Sequence, residues 1–308
     1  MRFLLCLPGL LAACAGAVSC ARAVRPDALR PDCARAEVEV LAEGLGFTEG
    51  PVWLPEEECL LFSDIPAGRL LRWREGEGLV DSTASPNPNG NLLDAEGRLL
   101  TCRHGARDVV RREHDGSLMT LATQFEGRRL NSPNDIACGP DGVLWFTDPP
   151  WGLPGQTEGR ELPFNGVYRL DPADGAVDLL LDGLCMPNGV ALSPDGATLY
   201  VADTGGHPSH PVEALQEGPA KVRAYRVTDA GLDPEPLWET ASLCDGMCVT
   251  PEGWIWTTAR EGLVLLGPDG AILGSIPLPE APTNVCLGPD PEVLFVTART
   301  RLLRVRVP

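Results

Sequence analysis

Six polar side chains stand at the same point in six similar stretches of this sequence: Glu49, Asn89, Asn134, Asn188, Asp245 and Thr283. All carry oxygen donors, two of them carboxylates, and no Lys or Arg shares the column. Brought to face one point, such groups would hold lone pairs and like charges together at low dielectric. A single divalent cation resolves that conflict. Two carboxylates balance its charge, and an all-oxygen shell suits Ca²⁺ first, with Mg²⁺, Mn²⁺ and Zn²⁺ also compatible. The chemistry that follows is metal-assisted hydrolysis, in which the ion polarises a carbonyl while water attacks. Asn and Asp at strand starts also end loops by bonding local backbone, and Asn89 taken alone fits that simpler role.

The column comes from a repeat. "TEGPVWLPEEECLLFSD", "PNGNLLDAEGRLLTCR", "PNDIACGPDGVLWFTD", "PNGVALSPDGATLYVAD", "CDGMCVTPEGWIWTTA" and "PTNVCLGPDPEVLFVTA" share one order: polar residue, short apolar strand, turn, longer apolar strand. Successive lead residues are 38 to 57 positions apart, a period that marks propellers or solenoids. Second hairpins lie between them, as at Val167–Leu170 and Val177–Leu181, which makes four strands per unit. The expected fold is therefore an all-β, six-bladed β-propeller with four-stranded blades. Its ring would be closed by Glu37–Leu41 pairing with Leu302–Val307, so that no strand edge is left open. The first strand of each blade would line the channel and present the polar column there. The third unit opens with two costly groups, Asn134 and Asp135, which need either solvent or a polar partner.

With 25 Lys and Arg against 43 Asp and Glu, the 308-residue chain has a net charge of −18, the wrong sign for nucleic acid or anionic membranes. Residues 1–20 read as an export leader: Arg2, an apolar stretch from Phe3 to Ala13, then small residues. The stretch is too short to span a bilayer. Leu11-Ala12-Ala13-Cys14 resembles a lipobox, so Cys14 is a candidate lipidation site at a bacterial cell envelope or in the periplasm. The only membrane contact would then be that N-terminal lipid anchor. Residues 21–36 read as a tether and 37–308 as the propeller, expected to act as a monomer. Eight cysteines follow the leader. Cys138, Cys248 and Cys286 fall in columns otherwise filled by Ala, Val or Leu, which favours small buried hydrophobes over disulfides.

The strings "FTEGPVW", "RLNSPNDI", "WFTDPPWG", "ELPFNGVYRLDP", "MPNGVALSPDGATLYVAD" and "CDGMCVTPEG" resemble the SMP-30/gluconolactonase-like family, its bacterial gluconolactonase branch above all, from about Val40 to the C-terminus. The resemblance implies a six-bladed propeller with a divalent metal in the channel mouth and a sugar-lactone substrate. It puts metal ligands at Glu49, Asn134, Asn188 and Asp245, with Asp245 also the proton acceptor. In some relatives the equivalent of Asn134 contacts substrate instead. Animal members have an Arg two residues before that Asn, where this chain has Ser132.

Other candidates are weaker. His104 and Trp151, with Asn89, are candidate substrate contacts, His104 as a donor or proton carrier and Trp151 by stacking on a sugar ring. His207 and His210 of "HPSH" read as a surface loop. "GLGFTEG" misses the third glycine of a dinucleotide fingerprint, and neither HExxH nor GxSxG occurs. Two alternatives use the same site. One is a phosphotriesterase-type hydrolase; the other is a noncatalytic sugar- or partner-binding propeller in which the metal is structural. A strictosidine-synthase-like enzyme would share the fold but not the acidic ligand set.

Overall fold

A computed structural model describes residues 30–207, 210, 213–229 and 231–308. The expected leader, with Cys14, lies outside the described residues, as does most of the tether. The part of the tether that is described is not free chain. Cys33–Arg35 form a 3₁₀ turn, and the Arg30 guanidinium donates to Leu273 O at 2.7 Å.

The chain is an all-β propeller built of antiparallel hairpins. Its strands join into five large sheets, where the repeat led us to expect six separate blades. The difference has a physical cause at the chain ends. Val293–Arg306 and Glu37–Leu54 each run as one long strand through what the repeat reads as two. They pair with each other from Glu37↔Arg306 to Thr48↔Arg299, so the first and last repeats fall in one six-stranded sheet. The expected short closing strand, Glu37–Leu41, is thus the start of an 18-residue strand.

Apolar residues alternate along the strands and fill the spaces between neighbouring repeats. Leu100, Val109, Phe146 and Tyr168 pack between the second and third, with Phe146 stacked on Tyr168 at 5.0 Å between ring centroids. Leu60, Phe62, Val293 and Phe295 do the same between the first and sixth. Ala191, Tyr200, Cys244 and Ile255 join the fourth to the fifth.

At the centre the first strands come close enough to bond one another. The Thr283 hydroxyl donates to Thr48 O at 2.7 Å, that of Ser63 to Asn89 O at 2.6 Å, and that of Thr147 to Asn188 O at 2.5 Å. Between these, Gly90 N donates to Asn134 O at 2.8 Å, Gly189 N to Asp245 O at 2.9 Å and Gly246 N to Thr283 O at 2.7 Å. Approach this close explains the glycines that follow the polar column. A Cβ on Gly189 would collide with Asp245 O and lie 2.9 Å from the Gly246 Cα.

A second device anchors the loops that feed those strands. Asp64, at the end of a second strand, accepts from Gly46 N at 2.9 Å and Phe47 N at 3.2 Å. Asp148 accepts from Asn131 N and Ser132 N, both at 2.7 Å, and Asp203 from Cys185 N at 3.1 Å and Met186 N at 2.8 Å. Each carboxylate holds the loop just ahead of a column residue, namely Glu49, Asn134 or Asn188.

Gly189→Ala is expected to destabilise the protein by about 1–3 kcal/mol, because backbone on both sides cannot give way. Gly183→Ala, where a Cβ meets nothing within 4 Å, should stay within about 1 kcal/mol of wild type. Thermal unfolding of the pair checks this, and equal melting temperatures would contradict it.

Candidate functional site

Glu49 lies in Glu37–Leu54, Asn89 in Pro88–Leu93 and Asn188 in Pro187–Leu192. Asn134, Asp245 and Thr283 immediately precede Ile136–Cys138, Met247–Val249 and Asn284–Leu287. Five of the six are buried; Asp245 is half-buried and is the one that solvent reaches.

Glu49, Asn188 and Asp245 come together. Burial raises the Glu49 carboxyl far above its ordinary range, and the nearby Asp245 and Asp135 charges raise it further. Asp245 is pushed up to about 7, first by burial and then by Asp135; the nearby Asn188 amide and Arg299 oppose the rise. Asn134 is held by its backbone, its N–H donating to Thr147 O at 2.8 Å. Among the described residues nothing hydrogen-bonds its side-chain amide.

One expected oxygen donor is committed elsewhere, and a second has its amide nitrogen engaged. The Thr283 hydroxyl is taken up by Thr48 O and by Thr297, so it does not serve the channel. The Asn89 amide lies 2.9 Å from His104 Nε2. Asn89 then donates and His104 accepts, which leaves the imidazole proton on Nδ1. Burial drops the His104 pKa to about 4, so it is neutral near pH 7 and fixes Asn89 rather than carrying protons.

Two residues outside the column complete the cluster. In the first, second, fourth and fifth repeats the column residue is followed by Gly50, Gly90, Gly189 and Gly246. In the third and sixth it is followed by Asp135 and Asn284, whose side chains fill space that the glycines leave. A Cβ on Gly90 would sit 2.5 Å from Asp135 Oδ1, and one on Gly246 would collide with the Asn284 amide. The Asn284 amide, close to both Glu49 and Asp135, opposes the rise in each. Asp135 also accepts from Ile136 N at 3.0 Å, and burial raises its pKa to about 6. This is the polar partner that the third repeat required. The signal was present in the sequence as two breaks in a glycine column.

Below Asp135 and Asn284 the channel becomes an apolar cavity of about 530 Å³ along the same strands. Cys138, Cys248 and Cys286 line it, half-buried where full burial was expected. All eight described cysteines are free.

The surrounding loops place the remaining candidates. Ser132 is buried, and its hydroxyl donates to Pro149 O at 2.6 Å while accepting from Gly152 N at 2.9 Å. It therefore fastens the Pro149–Gly152 turn. Gly152 abuts His104, where a Cβ would lie 2.5 Å from the His104 Cβ. Trp151 meets His207 edge-on, with ring centroids 5.4 Å apart, and its indole N–H is buried without a partner among the described residues. His210, expected on the surface, is buried.

The donor set fits a hard cation. Its donors are carboxylate and amide oxygens, three acids crowd together, and the Asn134 amide is uncommitted. Among the described residues no three His, Cys, Asp or Glu side chains form a metal-ligand cluster by themselves. Any cation here would depend on Asn134 and Asn188 as much as on the acids.

The crowded acids have a consequence for stability. Asp135 and Asp245 bind protons more tightly folded than unfolded, rising from 3.8 to about 6 and about 7. Their contribution is therefore full below about pH 4 and is lost as the pH rises through 6 to 7. Chelated protein should show a melting temperature that falls across that window, and Asp135→Asn should flatten the fall. A melting temperature that rises from pH 4 to 7 in both proteins would contradict this.

Residues 47–300 match the model of the SMP-30/gluconolactonase/LRE-like region. A gluconolactonase of Zymomonas mobilis is 33% identical over 300 residues, covering 87% of this chain and 81% of that protein. A pentonolactonase of Haloferax volcanii is 31% identical, covering 81% and 80%. The solved structure of a Xanthomonas campestris gluconolactonase superposes with a TM-score of 0.77 at 34% identity, covering 90% of this chain and 91% of its own. The chain belongs to the SMP-30/gluconolactonase/LRE-like family.

Proposed function

We propose that the protein is a divalent-metal-dependent hydrolase that opens a sugar lactone. The observation that carries this reading is the convergence of Glu49, Asn188 and Asp245, backed by Asp135, with no Lys or Arg within ion-pairing distance of the carboxylates among the described residues. The lactonase activities named for its relatives support the substrate class. We also take the propeller as six-bladed, counting the six-stranded sheet as two blades that share their long strands; the succession of hydrogen bonds from each repeat to the next around the centre supports that count. Export, with a lipid anchor at Cys14, is part of the same reading and is supported by the apolar stretch Phe3–Ala13 and by Leu11-Ala12-Ala13-Cys14.

Glu49, Asn134, Asn188 and Asp245 would hold the ion, with Ca²⁺ the first choice for an all-oxygen set. When bound, it would supply Lewis acidity to the lactone carbonyl and charge for the developing oxyanion. Asp245 is the proton acceptor, as the half-buried acid that solvent reaches. It takes a proton from water as the water oxygen bonds to the carbonyl carbon. It returns that proton to the ring oxygen as the acyl C–O bond breaks, leaving the open hydroxy acid. Asn188 orients Asp245, itself held by Thr204, whose Oγ1 accepts from the Asn188 amide at 3.1 Å. His104 and Asn89 form a neutral, fixed wall at the second repeat.

Initial rates of glucono-1,5-lactone opening, measured in chelated protein and after metal return, test the reading. A rate above spontaneous opening should vanish with chelator and recover with one ion. Asp245→Asn should lower kcat by about 10²-fold or more in a folded protein. A chelator-insensitive rate, or full turnover in the variant, would contradict the mechanism.

A further inference from the structure

Four repeats place a polar side chain at one equivalent position. The pairs Asn91↔Thr101, Val190↔Val201, Met247↔Thr257 and Val285↔Val296 are equivalent, and three residues beyond the second member stand His104, Thr204, Arg260 and Arg299. The first two bond the column residue of their own repeat, His104 with Asn89 at 2.9 Å and Thr204 with Asn188 at 3.1 Å. In the sixth repeat the column residue, Thr283, spends its hydroxyl on Thr48 and Thr297. Arg299 is left without that partner.

Its surroundings sharpen the point. Arg299 is exposed, and among the described residues no hydrogen bond or ion pair engages its guanidinium. Several arginines of this acidic chain are paired, among them Arg72 with Glu57, Arg98 with Asp94, Arg223 with Glu239 and Arg304 with Glu39, while Arg260, also exposed, is unpaired like Arg299 among the described residues. Arg299 nevertheless acts electrostatically on Asp245, so it lies on the Asp245 side of the channel. Its backbone is left-handed, with φ of 48°, inside the strand Val293–Arg306 where the pairing with Glu37–Leu54 shifts register, and it pairs with Thr48 next to Glu49. L side chains rarely adopt that conformation, and such positions collect at functional sites.

We propose that Arg299 is a substrate-recognition residue whose guanidinium donates hydrogen bonds to hydroxyl oxygens of a polyhydroxylated lactone held against Asp245. This rests on the lactone-hydrolase reading above. The planar guanidinium offers a fork of donors with fixed spacing, which suits neighbouring oxygens on a sugar ring better than an ammonium does. It adds no acceptor to a site already rich in them.

The test compares wild type, Arg299→Met and Arg299→Lys on two substrates: glucono-1,5-lactone and δ-valerolactone, the same six-membered ring without hydroxyls. Both variants keep the left-handed backbone, so its cost cancels. For the gluconolactone, Arg299→Met should raise KM by about tenfold or more, the loss of one charge-assisted hydrogen bond, with kcat changed less than about threefold. Arg299→Lys should fall between Met and wild type. For δ-valerolactone all three should agree in kcat/KM within about twofold. Equal losses on both substrates, or no loss on either, would overturn the assignment. A wild-type protein that opens neither lactone would instead overturn the reading on which the assignment rests, and the assignment with it.

Discussion

The close approach of the first strands at the centre is the constraint on which the rest depends. Carbonyls of Asn89, Asn134, Asn188, Asp245 and Thr283 accept from a neighbouring repeat at 2.5 to 2.9 Å. Those bonds satisfy buried backbone that would otherwise cost free energy, and they aim the side chains of the same residues inward. Gly50, Gly90, Gly189 and Gly246 make the approach sterically possible. At the remaining two positions Asp135 and Asn284 use the space for polar contact. Structure and electrostatics are therefore set by the same few residues.

The crowding of Glu49, Asp135 and Asp245 destabilises the protein at neutral pH and is useful only if something compensates it. Amides on Asn188 and Asn284 and the charge of Arg299 soften the field without cancelling it. A basic residue placed to form an ion pair would have relieved the strain more simply. Its absence among the described residues leaves the charge available to a bound cation and to the chemistry that cation supports. The three anchoring carboxylates Asp64, Asp148 and Asp203 have a different part, since each accepts from backbone N–H groups ahead of a column residue, Asp203 also pairing with Arg223.

Much of this was legible in the sequence because the repeat sets side chains in columns. Glu49, Asn188 and Asp245 could be read as one group before any coordinates, since a period of the chain becomes a rotation about the channel. Asp135 and Asn284 were harder to see, because their meaning lies in what the other repeats have at that position, which is glycine. Thr283 matched the column by type, yet its short hydroxyl found backbone and Thr297 first. The five sheets could not be anticipated either. Whether Val293–Arg306 breaks at Arg299 or runs through it depends on pairing with Glu37–Leu54, more than 200 residues away in sequence.

The central claim is that this cluster is a cation site, and calorimetric titration of Ca²⁺ into chelated protein tests it most directly. The account requires one ion per chain, with affinity sharply reduced in Glu49→Gln. Absence of binding, or binding that is unchanged in Glu49→Gln, would contradict it.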